Sequence, residues 1–144
     1  MSDTGKVVKL YAKGAPVGVE DGALVGFLVD QGHSAEWVVT REGQGFRFTA
    51  KGTEETIVAE GTDRAPVGVR GDDSPASVWR IQRVDDDGTA TVTSLADLRT
   101  GTYTIDQQGL ALGRDLFEDR SLLPKRIFVR TDDRDPQWTI EVLD

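Results

Sequence analysis

Four cations, Arg114, Arg120, Lys125 and Arg126, crowd the stretch from Gly113 to Val129, which reads Gly-Arg-Asp-Leu-Phe-Glu-Asp-Arg-Ser-Leu-Leu-Pro-Lys-Arg-Ile-Phe-Val. Guanidinium groups make charge-assisted, often bidentate hydrogen bonds to carboxylates, although for the acidic chain as a whole a basic partner is the easier match. The stretch is too irregular to be one strand, and Pro124 forbids an uninterrupted helix. It therefore reads as a loop joining two short β-like runs. Long ordered loops tend to carry function, which makes a basic projection from an acidic chain a candidate contact surface. The competing reading is a plain connection whose Phe117, Leu122 and Leu123 plug the core.

Other chemistry has less to stand on. His33, the one histidine, lies in the turn-like Gln-Gly-His-Ser-Ala, so a Ser-His-Asp triad would depend on this one side chain. Zinc normally takes several His or Cys ligands, and the chain has no cysteine. Asp85-Asp86-Asp87-Gly88 lacks the alternating ligands and terminal Glu of a calcium loop and reads as a solvated turn, as does Asp132-Asp133-Arg134-Asp135. Arg70-Gly71-Asp72 spells an integrin-type tripeptide but falls where Gly-Asp-Asp-Ser-Pro makes an ordinary turn. No pair among the 25 acidic residues suggests a shielded acid with a raised pKa. A protein that is not an enzyme, with no cofactor and no metal, is expected.

The bulk properties narrow the partners. A chain of 144 residues is the size of one domain, taken here as 1–144, and can bury a sizeable core. Its net charge of -8 and pI near 4.6 argue against nucleic acid and anionic membranes, both of which need a basic face. Without cysteine there is no disulfide framework and no thiolate nucleophile. The opening residues lack the apolar centre of a signal peptide, and no run approaches the roughly 18 apolar residues of a membrane span. There is no Asn, hence no N-glycosylation sequon. A cytoplasmic monomer is the expectation.

The elements that must hold the cationic loop are strands. Apolar residues recur at period two in short runs broken by Gly, Asp and Pro, and no segment keeps helical spacing for three turns. The predicted strands are 7–12, 16–20, 26–30 and 36–41, then 46–50, 55–60, 66–70 and 78–84, then 89–94, and finally 102–105, 110–114, 126–130 and 137–142. About a dozen strands so closely spaced make a sandwich or a barrel. The tryptophans favour one of these. Trp37, Trp79 and Trp138 each open the last strand of a set, at steps of 42 and 59 residues, the longer step holding the extra segment 85–100. Three four-strand units, each closing on a buried Trp, are what an all-β β-trefoil requires, with six strands forming a barrel and three hairpins capping one end. Ala-Pro-Val-Gly-Val also occurs twice, at 15–19 and 65–69, but its offset of 50 does not match the tryptophan step.

Gly101-Thr102-Tyr103-Thr104-Ile105, then Leu112-Gly113-Arg114, then Glu118-Asp119-Arg120-Ser121-Leu122-Leu123-Pro124-Lys125-Arg126-Ile127 resemble the opening of the cospin-type (mycospin) serine protease inhibitors of mushrooms. A Trp-x-Ile-Glu strand, here Trp138-Thr139-Ile140-Glu141, follows in both. Weaker similarity covers Lys9-Leu10, Gly14-Ala15-Pro16, Glu36-Trp37-Val38-Val39, Phe46 and Val78-Trp79-Arg80-Ile81. In that family the Glu-Asp-Arg-Ser-Leu block lies near the N-terminus, whereas here it lies near the C-terminus. The order suggests a circular permutation with new ends between Asp144 and Met1, the segment 85–100 bridging the older ones.

The resemblance implies a β-trefoil that inhibits trypsin-like serine proteases through the loop between the second and third strands of one unit. By position that loop contains Arg114, Asp115, Leu116, Phe117, Glu118, Asp119, Arg120 and Ser121. Trypsin's specificity pocket ends in a carboxylate, so Arg114 and Arg120 are the candidates to enter it. The family places an Asn in that pocket; this chain has none, and Asp115 is the candidate for its position. Arg120 could instead pair with Glu118 or Asp119 to hold the loop, with Pro124 stiffening its exit. The alternative function is a carbohydrate-binding trefoil lectin. Buried tryptophans favour the inhibitor, and two or more exposed beside carboxylates favour the lectin.

Overall fold

Alternation of side chains along each strand sends one set of apolar residues inward and leaves the other face to solvent. The computed structural model describes residues 5–28, 35–59, 65–71, 74–107, 109–114, 125–130 and 137–143. The first unit comprises β1 (Lys6–Ala12), β2 (Ala15–Glu20), β3 (Ala23–Gly26) and β4 (Trp37–Glu42). The second comprises β5 (Gly45–Ala50), β6 (Thr56–Val58), β7 (Gly68–Arg70) and β8 (Arg80–Asp85). After the short β9 (Gly88–Thr91), the third comprises β10 (Gly101–Gln107), β11 (Leu110–Arg114), β12 (Lys125–Arg130) and β13 (Gln137–Val142).

Six strands close a barrel. β1 pairs with β4 and β13, β4 with β5, β13 with β10, and β10 with β8, all antiparallel. The last seam, between β5 and the chain entering β8, is one antiparallel bridge in which Phe46 and Trp79 exchange both backbone hydrogen bonds, at 2.8 and 2.7 Å. Val8, Leu10, Val39, Phe48, Ile81, Ile105 and Ile140 are buried inside. While β9 pairs with β8, the other six of the remaining seven strands form three hairpins, β2–β3, β6–β7 and β11–β12. They are stitched to one another by Leu24 N–H to Val67 O, Val67 N–H to Ile127 O and Val129 N–H to Ala65 O, at 2.9 to 3.1 Å.

Local chemistry sets these connections. Two-residue turns whose central residues both have positive φ match the twist of a hairpin, and Asp21 and Gly22 adopt φ of 53° and 77° between β2 and β3. That tight turn explains a difference from the expected strand at 26–30. The strand begins directly after Gly22 and ends at Gly26, while Phe27, whose N–H still donates to Pro16 O at 2.8 Å, joins Ala23 and Val25 in a small separate apolar cluster; residues 29 and 30 of the expected strand lie outside the described residues. The strand expected at 78–84 starts at Arg80 because a 3-10 turn, Pro75–Ser77, precedes it, with Ser74 Oγ accepting from Ala76 N–H. The two copies of Ala-Pro-Val-Gly-Val are not equivalent. The first runs into β2, the opening strand of its hairpin, and the second leads into β7, the closing one.

The three tryptophans do occupy equivalent places. Trp37 faces Val8, Trp79 faces Phe46 and Trp138 faces Tyr103 across the ladder, and all three rings are buried. The inserted segment 85–100 lies outside this threefold plan. Asp85 Oδ1 accepts from Asp87 N–H, so the acidic trio forms the turn of the β8–β9 hairpin. Beyond it Val92 and Leu98 are buried in the main core, and Lys6 Nζ donates to Leu98 O at 2.7 Å.

Candidate functional site

The cationic stretch leaves the hairpin β11–β12, whose base is a paired ladder. Leu112 faces Val129, Gly113 faces Phe128 and Arg114 faces Ile127. Two neighbours hold that base. The Trp138 indole N–H donates to Leu112 O at 2.7 Å, and Lys125 and Arg126 pair with Gly26 and Val25 of β3. Arg114 is thus the last residue of β11 and Lys125 the first of β12. Asp115, Leu116, Phe117, Glu118, Asp119, Arg120 and Ser121, with Leu122, Leu123 and Pro124, lie outside the described residues, as do His33, Asp72 and residues 132–135, where a turn is expected. Lys125 is buried to 6% exposure, so it belongs to the hairpin's packing, whereas Arg126 is exposed.

A cleft of about 610 Å³ opens beside the seam between the second and third units. Arg80 Nε and Nη2 donate to Asp106 Oδ1 and Oδ2 at 2.9 and 3.0 Å. These hydrogen bonds first, and the charge of Asp106 second, raise the arginine's pKa above its ordinary value. A raised pKa marks a contribution that is complete at neutral pH and is lost only in strong alkali. The Gln107 amide meanwhile donates to Ala76 O and Val78 O, both at 2.9 Å, tying β10 to the chain entering β8. The ionic groups of the cleft satisfy each other, which makes it a clamp between units. Arg80 is half exposed, so Asp106→Asn is expected to cost only about 0.5 kcal/mol in urea denaturation, a loss that shrinks further in 1 M salt.

Sequence reasoning missed another surface, on the barrel wall. Tyr11, Thr139 and Thr102 are consecutive cross-strand neighbours on β1, β13 and β10, alternating with the buried Leu10, Ile140 and Tyr103. Tyr11 Oη donates to Glu141 Oε1 at 2.8 Å. The available signal was the outward set of a period-two strand, which looks the same as any solvated face until the strands are placed side by side. Among the described residues no three His, Cys, Asp or Glu side chains gather as metal ligands, and no helix is long and apolar enough to cross a membrane.

The chain matches no protein-family model and no curated protein sequence. Solved structures do match over nearly its whole length. A designed three-fold symmetric protein, ThreeFoil, superposes with a TM-score of 0.70 at 19% identity, covering 95% of this chain and 99% of the other. The ricin B-like lectin of Macrolepiota procera, in complex with lactose, gives 0.70 at 14% identity over 99% of both chains. The SDF2-like protein of Arabidopsis thaliana gives 0.65 at 11% identity, covering 94% and 92%. The fold is a β-trefoil. At these identities the likeness concerns the fold alone. Within the trefoil the indoles are wedges between barrel and hairpin cap, with Trp79 Nε1 donating to Ile57 O at 3.0 Å as Trp138 does to Leu112 O, so none of the three offers a face to a ligand.

Proposed function

We propose that this trefoil is a non-enzymatic inhibitor of trypsin-like serine proteases, acting by reversible occupation of the active site with the loop between β11 and β12. The observation that carries the reading is the base of that loop. Arg114 ends one strand and Lys125 begins its partner, and the pair is held by its own ladder, by β3 and by the Trp138 indole. Fixing both ends of a loop removes part of the entropy that a free peptide would lose on binding. Lys125 is buried, and the resemblance makes Arg114 and Arg120 the residues to reach a protease pocket that ends in a carboxylate. The resemblance to cospin-type inhibitors in a permuted order points the same way. A permuted order would need a bridge between the older ends, and β9 with the segment after it stands outside the three-unit plan at that point of the chain.

Titration of trypsin with the wild type, Arg114→Ala and Arg120→Ala tests the proposal. The wild type should inhibit below micromolar concentration, and the variant lacking the inserted arginine should inhibit about tenfold more weakly or worse. No inhibition by the wild type at micromolar concentration removes trypsin as the target. Equal inhibition by all three proteins removes the two arginines as the contact. A second reading, saccharide binding, has one observation in its favour, the outward tyrosine beside a carboxylate.

A further inference from the structure

The barrel wall carries two shallow depressions that share Thr100. One, of about 400 Å³, lies between Tyr11, Gly14, Thr139 and Glu141. The other, of about 320 Å³, lies between Arg83, Arg99, Gly101 and Thr102. Thr139 of the first is the cross-strand partner of Thr102 of the second, so the two are continuous across β13 and β10. Together they fall in the size range of small-molecule sites, about 300–1,000 Å³.

The two ends differ in chemistry. At the first, Tyr11 holds Glu141 Oε1, which fixes the ring beside a carboxylate whose second oxygen can accept from a ligand hydroxyl. An aromatic ring with a neighbouring acceptor suits the C–H face and hydroxyls of a pyranose. At the other end, at the rim where β10 begins, stand two guanidinium groups, Arg99 on the chain entering β10 and Arg83 across the ladder from the inward Tyr103. Arg83 Nη2 donates to the backbone carbonyl of Asp97 at 2.9 Å, a bond that positions it without neutralising it. Arg99 is exposed, and neither arginine has a carboxylate partner among the described residues. The backbone of Arg99 is pinned from below, since the buried Tyr103 hydroxyl donates to Arg99 O at 2.6 Å and accepts from Arg99 N–H at 3.0 Å. Between the two ends, Thr100 Oγ1 accepts from Val142 N–H, leaving its proton free to be donated.

Cations without a carboxylate partner among the described residues, on a chain of net charge -8, mark a local preference for an anion. We infer that this groove binds an acidic saccharide, with a sugar ring against Tyr11 and Glu141 and a carboxylate or sulfate of the sugar on Arg83 and Arg99. The site uses no part of the β11–β12 loop, so it stands or falls separately from protease inhibition. It deepens the saccharide reading by naming the groove and the charge of its ligand.

The probe is trigalacturonate, compared with its methyl ester and with inorganic sulfate, by calorimetry and by amide shifts in NMR. Trigalacturonate should bind with shifts at 99–102 and 139–141, and the ester, identical but uncharged, should bind at least tenfold more weakly. Arg99→Gln should lower affinity for the charged sugar severalfold, and Arg83→Gln combined with it at least tenfold. Tyr11→Ala should weaken both sugars. Affinity should fall between 50 and 500 mM salt. Arg99→Gln, at an exposed position, should leave the midpoint of unfolding and any inhibition of trypsin unchanged. Equal binding of acid and ester overturns the charge assignment. Sulfate binding as tightly as the sugar reduces the site to an oxyanion site and overturns the saccharide. No binding at 10 mM, or shifts confined to other surfaces, overturns the proposal as a whole.

Discussion

Gly45→Ala is expected to lower the unfolding free energy by about 3 kcal/mol, from steric conflict together with weakened hydrogen bonds. In thermal unfolding the midpoint should drop by roughly 10 °C. The reason is position, since the glycine's φ is ordinary. A Cβ at residue 45 would sit 2.7 Å from Trp79 O and 2.8 Å from Val78 Cγ1. The first of these atoms is backbone and cannot swing aside. Trp79 O is also the acceptor for Phe46 N–H, half of the single bridge that closes the barrel between β5 and β8. Every other seam has several pairs in register, so only here does one methyl group threaten a whole closure. Gly43→Ala is the control. Its φ is +60° and nothing lies within 4 Å, so it should cost only about 1 kcal/mol through backbone strain. Equal losses for the two variants would mean that the seam yields freely and that the closure is not fragile.

That seam also shows what could and could not be read from the chain. The three-unit plan was legible because Trp37, Trp79 and Trp138 stand at or directly before the start of the last barrel strand of each unit, and a buried indole can be spaced only as the units are. Strands 110–114 and 137–142 fall where expected, because Gly109 ends the turn before the first and strict alternation marks the second. The strand at Ala23–Gly26 was displaced from 26–30 since the apolar run Leu24 to Val29 continues past the point where the ladder stops, and hydropathy alone does not mark that point. Trp79 stands outside a strand, held by one bridge, because the Pro75–Ser77 turn delivers it late. The groove on the barrel wall was illegible for a different reason. Tyr11, Arg99 and Glu141 lie far apart in the sequence, and each is an unremarkable outward residue until register brings the strands together. The loop residues Asp115 to Ser121, chosen from the sequence, fall outside the described residues, and only their anchors Arg114 and Lys125 have a structural setting.

The tryptophans, equivalent in sequence, are unequal in bonding, and their replacement by phenylalanine should expose the inequality. Truncating a buried indole to a phenyl ring leaves a cavity in all three cases, a cost of about 1–3 kcal/mol. Trp138→Phe and Trp79→Phe lose in addition a buried N–H donor to Leu112 O and Ile57 O. Stranding that acceptor adds about 1–2 kcal/mol. Trp37→Phe loses no such bond, because Trp37 Nε1 is buried without a partner among the described residues. The reason lies in the first hairpin. Val17, three residues after Gly14 as Leu112 is three after Gly109, has its carbonyl engaged by Ala35 N–H at 3.1 Å. In the first unit a backbone donor occupies the carbonyl that corresponds to the indole's acceptor in the third, and Trp37 Nε1 makes no bond to it. Removing an unmet donor relieves a desolvation penalty, so Trp37→Phe should be milder than Trp138→Phe by about 2 kcal/mol in urea denaturation. Trp79→Phe should fall near Trp138→Phe. Equal losses at Trp37 and Trp138 would show that the indole hydrogen bonds contribute nothing beyond packing. A gap of the expected sign marks the first unit as the one whose indole, among the three, is an unsatisfied polar group, and hence where a single substitution relieves a cost that the other two indoles do not carry.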